Sequence, residues 1–253
     1  MRLGRWTSMR FVAALLAGAL CAAAAHAEER VALVIGNSAY QHLPALDSPR
    51  SDAAAMAEKL KRHGFKVVLA TDLDRAAMGK KLKEFRHAFA HAGTALLFYA
   101  GHGLEASARD FLVPIDADLA DAANPDHGIM ELAPIVSAMQ HGPSLSLLFI
   151  DAGRDNPLSD ATLPPAKPDP DPPEEPARLL IFLATGPGGT AAHGAGDAHS
   201  PFTSALLQHI DTPGLKIQDL LTLVRDDVAQ STGGDQLPWS MSTLDRDFIF
   251  AKR

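Results

Sequence analysis

Cysteine is nearly absent from this sequence. The 253 residues contain one, Cys21, which lies in an apolar segment near the amino terminus. Once that segment is removed, the chain can form no disulfide, offers no thiolate ligand to a metal and has no thiol nucleophile. A disulfide scaffold, a thiolate metal site and a catalytic cysteine are therefore excluded from the mature chain.

Basic residues are outnumbered, with 23 Lys and Arg against 30 Asp and Glu and a formal net charge of −7. An acidic surface repels phosphate backbones, so nucleic acid is not an expected partner. The hydrophobic fraction of 47% is that of an ordinary globular protein and excludes disorder throughout the chain.

The amino terminus has the pattern of a secretory signal peptide. Three arginines lie before or at the start of the apolar run from Phe11 to Ala25, and the small-x-small sequence Ala25-His26-Ala27 ends it. We predict that residues 1–27 are removed, which leaves 20 basic and 30 acidic residues and a charge of −10. The alternative is a retained membrane anchor, for which the run is short and rich in Ala. Removal implies a periplasmic or secreted protein without stable membrane association.

Apolar runs alternate with helical patterns along residues 28–253. This alternation predicts an α/β domain with a mostly parallel sheet covered by helices on both faces. The predicted strands are 31–35, 66–70, 96–99, 111–115 (a short extra strand or hairpin arm), 147–150, 179–183 and 247–250. The predicted helices run from caps at 47–52 to Gly64, and over about 74–91, 130–139, 201–210 and 217–230.

One segment departs from this pattern. Residues 157–176 hold eight of the 18 prolines together with several acids and show no periodicity. Such a composition predicts an extended, solvated loop. The single domain 28–253 is thereby divided into a larger portion, 28–156, a Pro-rich acidic loop, 157–178, and a smaller portion, 179–253.

Two of the predicted strands end in small and polar residues. LLFYAGHG, residues 96–103, ends at His102 and Gly103, and LLFIDAGRDNP, residues 147–157, continues into Asp151, Gly153 and Arg154. Buried parallel strands deliver side chains to the carboxyl edge of their sheet, where α/β proteins place their sites. We therefore expect the two strand ends to form one site.

These motifs resemble those of the caspase and metacaspase clan of cysteine peptidases, and the chain resembles a bacterial member of that clan. The clan has strand-then-His-Gly and, about 50 residues later, a strand followed by a cysteine motif such as Q-A-C-R-G. RVALVIGNSAY (30–40), ATGPG (184–188) and SPFT (200–203) extend the resemblance from Arg30 to Phe250. It implies a caspase-like three-layer α/β/α sandwich with about six strands. It also implies that His102 is the general acid/base and that the N–H groups of Gly103 and Gly153 form the oxyanion hole.

The resemblance places the nucleophile at position 153, where this chain has glycine. Losing the nucleophile of a hydrolase typically costs on the order of a million-fold in rate. We therefore predict an inactive homologue, a pseudo-peptidase. The alternatives are an active enzyme, through a sequence variant or a substitute nucleophile, and an α/β ligand-binding domain that shares ancestry alone. Substitutes considered by residue type are Ser107, Ser159 and Ser200, with Asp151 and Asp155 flanking the vacant position.

Asp151 stands where the metacaspase branch carries an acid in a pocket selective for Arg or Lys. By this resemblance Asp151 is the predicted substrate-binding residue, since a carboxylate in a partly dry pocket forms charge-assisted hydrogen bonds with basic side chains. The alternative is a loop-capping carboxylate or a partner of Arg154. The expected partner is a peptide or protein with basic segments.

No cofactor is predicted. Some metacaspases bind calcium through surface acids, and the chain has no calcium-loop spacing, so calcium stays open. His193, Asp197 and His199 lie in a Gly-rich loop whose spacing fits no known metal site, which favours a solvated loop. Trp239 is expected to pack in the core.

Overall fold

The computed structural model describes residues 29–121, 126–155, 158, 163, 178–194 and 198–252. The predicted signal peptide and nearly all of the Pro-rich acidic loop lie outside these residues. The helices of the described part are α1 (Pro49–Arg62), α2 (Arg75–Phe89), α3 (Ala133–Gln140), α4 (Pro201–His209) and α5 (Ile217–Ser231). Its strands are β1 (Arg30–Gly36), β2 (Phe65–Thr71), β3 (Thr94–Ala100), β4 (Gly103–Ala106), β5 (Arg109–Leu112), β6 (Met130–Glu131), β7 (Leu145–Asp151), β8 (Leu179–Leu183) and β9 (Trp239–Ser242).

A six-stranded sheet in the order β2-β1-β3-β7-β8-β9 forms the centre of the molecule. Its first five strands are parallel, and β9 pairs antiparallel with β8. Strands β3 and β7 are neighbours, with Ala100 opposite Asp151. Both are apolar along nearly their whole length because helices cover both faces of the sheet. The two predicted strand ends therefore do lie side by side.

The helices form two layers. Helices α1, α4 and α5 pack on one face around Met56, Phe202 and Val224, and α2 and α3 pack on the other around Met78, Phe85 and Met139. Each layer buries an apolar stripe at helical spacing against the sheet. The predicted three-layer α/β/α sandwich with a mostly parallel sheet is confirmed.

A second sheet of three antiparallel strands, β4-β5-β6, follows β3 directly. Only Gly101 and His102 separate β3 from β4. The predicted extra strand at 111–115 is β5, which begins earlier and belongs to this small sheet. The predicted helix 130–139 is partly wrong, because Met130 and Glu131 extend the sheet as β6 and the helix begins at Ala133.

The last predicted strand is also misplaced. Residues 247–250 form only the isolated bridge Lys216 to Ile249, and the final strand is β9. Phe248 and Phe250 are buried in the core from a loop, which explains why their alternation suggested a strand. All four residues of β9 are exposed, and Trp239, expected in the core, is 38% exposed, because β9 is an edge strand.

No helix in the described part of the chain combines the length and the hydropathy needed to traverse a bilayer.

Candidate functional site

His102 lies between the main sheet and the small sheet. Its Nε2 is 2.8 Å from the carbonyl oxygen of Pro44. A carbonyl oxygen can only accept a hydrogen bond, so Nε2 carries the proton and Nδ1 of the neutral ring holds the lone pair. Nδ1 is therefore the nitrogen of the neutral imidazole that can accept a proton, and the acid/base role of His102 stays a prediction.

Two buried tyrosines hold the backbone of His102. The His102 N–H donates to the Tyr40 hydroxyl at 2.8 Å, and the Tyr99 hydroxyl donates to the His102 carbonyl at 2.7 Å. The Tyr40 ring also contacts the imidazole edge to face, with the ring centroids 4.5 Å apart. Burial raises the pKa of both hydroxyls, so both tyrosines stay neutral and act as fixed hydrogen-bonding groups.

Gly103 and Gly153 meet across the two strand ends. A Cβ on Gly103 would lie 2.8 Å from the Ala152 Cβ and 2.9 Å from the Gly153 carbonyl oxygen, closer than such atoms can approach. Position 103 therefore needs glycine because the two segments are in backbone contact. The structure brings the predicted oxyanion residues together next to His102.

Gly153 has no comparable requirement. Its φ is not among the positive values of this chain, so an L-residue can adopt its backbone conformation. A Cβ there would meet the Ala191 nitrogen at an ordinary 3.5 Å, and Asp155 Oδ1 at 2.8 Å. Asp155 is exposed, and its carboxylate is the movable end of a side chain. The space for a side chain at position 153 is thus present and is bordered by the Asp155 carboxylate.

Neither of the two described serines that the sequence offers as substitutes, Ser107 and Ser200, lies at the strand-end position of the nucleophile. Ser107 lies in the turn between β4 and β5, with φ at 53°. Ser200 is fully buried and donates its hydroxyl proton to Asp151 while its oxygen accepts from the Thr203 N–H. Ser159 lies outside the described residues.

Asp151 is 1% exposed at the end of β7. Its Oδ2 accepts hydrogen bonds from the hydroxyls of Ser200 and Thr203, the latter at 2.6 Å. Its Oδ1 is buried and has no hydrogen-bond partner among the described residues. Burial, and next the nearby Asp52 carboxylate, raise the pKa of Asp151 to about 7.

Asp52 of α1 is the second acid of this cluster, and the predicted site did not contain it. Its Oδ1 accepts from His199 Nδ1 at 2.7 Å and from the Ser200 N–H at 3.4 Å. Its Oδ2 is buried without a partner in the described part of the chain. Burial raises its pKa. Two carboxylates thus lie close together, each with one hydrogen-bonded oxygen and one unpaired oxygen.

The sequence contains a signal for Asp52. It precedes Met56 by four residues and Leu60 by eight, which places it on the same face of α1 as these core residues. An acid on the buried face of a helix is rare unless it is paired or functional. His199, weighed as a metal ligand, is instead the partner of Asp52.

Arg154 does not pair with Asp151. Its guanidinium binds Asp110 of β5 through Nε at 2.7 Å and Glu105 of β4 through an Nη at 3.1 Å, and its backbone N–H donates to the Gly189 carbonyl at 2.7 Å. Its side chain is 12% exposed. Arg154 therefore connects the segment after β7 with the small sheet and with the segment after β8.

We expect Arg154→Met to destabilise the fold by about 2 kcal/mol. It leaves two partly buried carboxylates without their cation, and the cost is below that of a fully buried pair because both acids are partly exposed to water. Denaturant unfolding followed by circular dichroism measures the change. Arg62→Met, which removes an exposed arginine paired with Asp211, is the control. A loss under 0.5 kcal/mol for Arg154→Met would contradict this structural role.

His193 faces His102 across the site, with the ring centroids 6.2 Å apart. Burial, and next repulsion by His102 when that ring is protonated, lower the pKa of His193 to about 4, so the His193 ring is neutral near pH 7. Of the metal ligands considered in this loop, Asp197 lies outside the described residues. The described residues contain no group of three or more His, Cys, Asp or Glu arranged to hold a metal ion.

One family model matches this chain, and curated proteins and solved structures resemble parts of its sequence or its fold. The sequence model of the caspase domain matches residues 29–249. The human mucosa-associated lymphoid tissue lymphoma translocation protein 1 is 38% identical over 91 residues, which are 36% of this chain and 11% of the human protein. Its mouse homologue matches equally. This chain thus spans only a small part of the length of these relatives. The crystal structure of caspase-1 from Spodoptera frugiperda has a TM-score of 0.68 at 19% identity, over 89% of this chain and 91% of that one.

Proposed function

This chain belongs to the caspase domain family, and from that premise we propose that it is a non-cleaving member that binds Arg- or Lys-containing peptide segments. The observation that carries the proposal is the pair of buried carboxylates, Asp52 and Asp151, each with an oxygen that lacks a partner among the described residues. A buried acceptor without a donor is costly, and a guanidinium can donate to both oxygens at once. The amino-terminal pattern supports action in the periplasm or outside the cell.

The proposal that cleavage is absent rests on the chemistry at position 153. Peptide hydrolysis by this family needs a thiolate that attacks the carbonyl carbon, an imidazole that protonates the leaving amine and backbone donors for the oxyanion. In this proposal His102 would serve the second role and the N–H groups of Gly103 and Gly153 the third. Glycine offers no atom for the first, so a bound peptide would stay intact.

Basic-peptide binding is expected to strengthen as the pH rises. A carboxyl whose pKa is raised to about 7 is mostly protonated at pH 6 and ionised at pH 8. An arginine side chain binds the ionised form, so affinity should fall about tenfold per pH unit below 7 and level off above it. Isothermal titration of the full chain with an Arg peptide between pH 5.5 and 8.5 measures this dependence. A pH-independent affinity would contradict a role for Asp151 in binding.

Two control measurements distinguish this function from the alternatives. A citrulline peptide has nearly the shape of the Arg peptide without its charge, and it should give negligible heat. Fluorogenic Arg and Lys peptides should not be hydrolysed above background. Hydrolysis that is abolished in His102→Ala would instead establish an active enzyme, and equally small heats for the Arg and citrulline peptides would leave only an α/β ligand-binding domain of other specificity.

A further inference from the structure

A cavity of about 530 Å³ lies away from the strand-end site, between α2, α3 and the small sheet. Apolar side chains from all three elements, together with Leu163, form most of its wall; they include Leu82, Phe85, Phe89, Phe111 and Ile135. Its volume is within the range of small-molecule sites, and a largely apolar wall is typical of them.

The charges at this cavity are predominantly basic. Arg75 binds Asp126 through two hydrogen bonds of 2.6 and 2.8 Å, and Arg109 lies 3.4 Å from Glu131. Lys83 and Arg86 also line the cavity, and neither has an acidic partner within the part of the chain described. They are three residues apart on α2 and so lie on one face of the helix. A local excess of two cations on a chain of net charge −7 favours an anion at this place.

Gly79 is a second observation that indicates a ligand-binding site in this cavity. It lies inside α2, one turn before Lys83, and it lines the cavity. Its φ is not positive, and a Cβ there would have no neighbour within 4 Å. Neither backbone conformation nor packing therefore requires glycine, although glycine weakens a helix interior. The lack of a side chain at position 79 leaves open space in the cavity.

We propose that this cavity binds a single-chain amphiphile with an anionic head group, such as an alkyl carboxylate. The alkyl chain packs between the phenylalanine and aliphatic side chains of the wall, and the head group accepts hydrogen bonds from Lys83 and Arg86. Binding removes apolar surface from water and pairs both cations. Neither step involves His102 or position 153, so this site is independent of the peptide site.

Fluorescence titration of the full chain with 11-(dansylamino)undecanoic acid, below its critical micelle concentration, tests this proposal. We expect saturable binding by the wild type and displacement by decanoate and by decyl phosphate, with decanol at least tenfold weaker. The double variant Lys83→Ala/Arg86→Ala should bind both anions at least tenfold less tightly and decanol unchanged. Gly79→Leu, which places a side chain in the open space, should weaken all three ligands at least tenfold.

The controls separate binding from folding. Lys80→Ala removes a cation from the same helix outside the cavity and should bind like the wild type. Gly79→Ala should raise the midpoint of thermal unfolding by about 2 °C or more, because alanine is the better helix former, while it weakens binding. Absence of saturable binding, or binding of the anions unchanged in both the double variant and Gly79→Leu, would overturn the proposal.

Discussion

Gly153→Cys is expected to convert the chain into a peptidase that cuts after Arg or Lys. The backbone at this position accepts an L-residue, and the one close contact of a new Cβ, at 2.8 Å, is with the movable carboxylate of Asp155. The hydrogen bond from His102 Nε2 to the Pro44 carbonyl leaves Nδ1 of the neutral ring as the proton acceptor, and we expect it to take the proton of the thiol. Because losing the nucleophile of a hydrolase typically costs on the order of a million-fold in rate, we expect even partial recovery by the new thiol to raise hydrolysis at least a hundred-fold above the wild type.

Asp155 should limit this gain. A carboxylate beside the new thiol raises the pKa of the thiol and disfavours the thiolate. Gly153→Cys/Asp155→Ala should therefore be more active than Gly153→Cys alone. Gly153→Ala supplies the same Cβ without sulfur and should be inactive, and Gly153→Cys/His102→Ala should lose the gain. Hydrolysis of a fluorogenic Arg peptide by the five proteins, wild type included, is the measurement. An inactive, correctly folded Gly153→Cys/Asp155→Ala would show that more than the nucleophile is missing.

Asp151→Asn is expected to weaken the binding of basic peptides and to stabilise the fold at the same time. The amide oxygen can still accept from Ser200 and Thr203, but the charge that attracts a guanidinium is lost. Truncating one partner of a desolvated charge pair typically costs 2–5 kcal/mol, so affinity for the Arg peptide should fall at least thirty-fold. Asp52→Asn should have a similar effect on binding. Asp226→Asn, an exposed acid of α5, changes the net charge equally and is the control.

The stabilisation by Asp151→Asn should depend on pH. The folded state raises the pKa of Asp151 from 3.8 to about 7, so it holds the proton more tightly than the unfolded chain. The contribution of Asp151 to wild-type stability therefore falls as the pH rises from about 4 to 7, by an amount on the order of 3 kcal/mol, and changes little above that. The variant lacks this loss and should be more stable at pH 8 than the wild type and nearly equal at pH 4. Denaturant midpoints at both pH values measure it. A variant less stable at pH 8 would contradict the raised pKa.

This opposite response of binding and stability distinguishes a functional acid from a structural one. If a carboxylate stabilises the fold, replacing it with a neutral amide lowers the free energy of unfolding. Asp151 instead has one unpaired, buried oxygen next to a second acid, an arrangement that costs stability in the absence of a cation. Local instability of this kind is typical of binding sites.

Most of the fold was predictable from the sequence because its elements have local signatures. The strands β3 and β7 are continuous apolar runs, and α2 begins at a capping residue, Asp74, whose side chain accepts from the Ala77 N–H at 2.7 Å. The errors lie where local pattern and environment disagree. Strand β9 is only four residues long and is exposed at the sheet edge, whereas Phe248 and Phe250 alternate like a strand but pack from a loop.

The sequence by itself determined the layered α/β fold, the neighbouring strand ends and the presence of His102 and Gly153 within them. These features are local, because an apolar run or a group of small residues indicates whether its own segment is buried. Only the tertiary structure decided which groups meet. Asp52 and Asp151 are 99 residues apart in the chain. Arg154 forms ion pairs with Glu105 and Asp110 and not with Asp151. The tautomer of His102 depends on Pro44, 58 residues away. Hydrogen bonds and carboxylate repulsion act over a few ångströms in space, and sequence patterns carry no direct record of such distances.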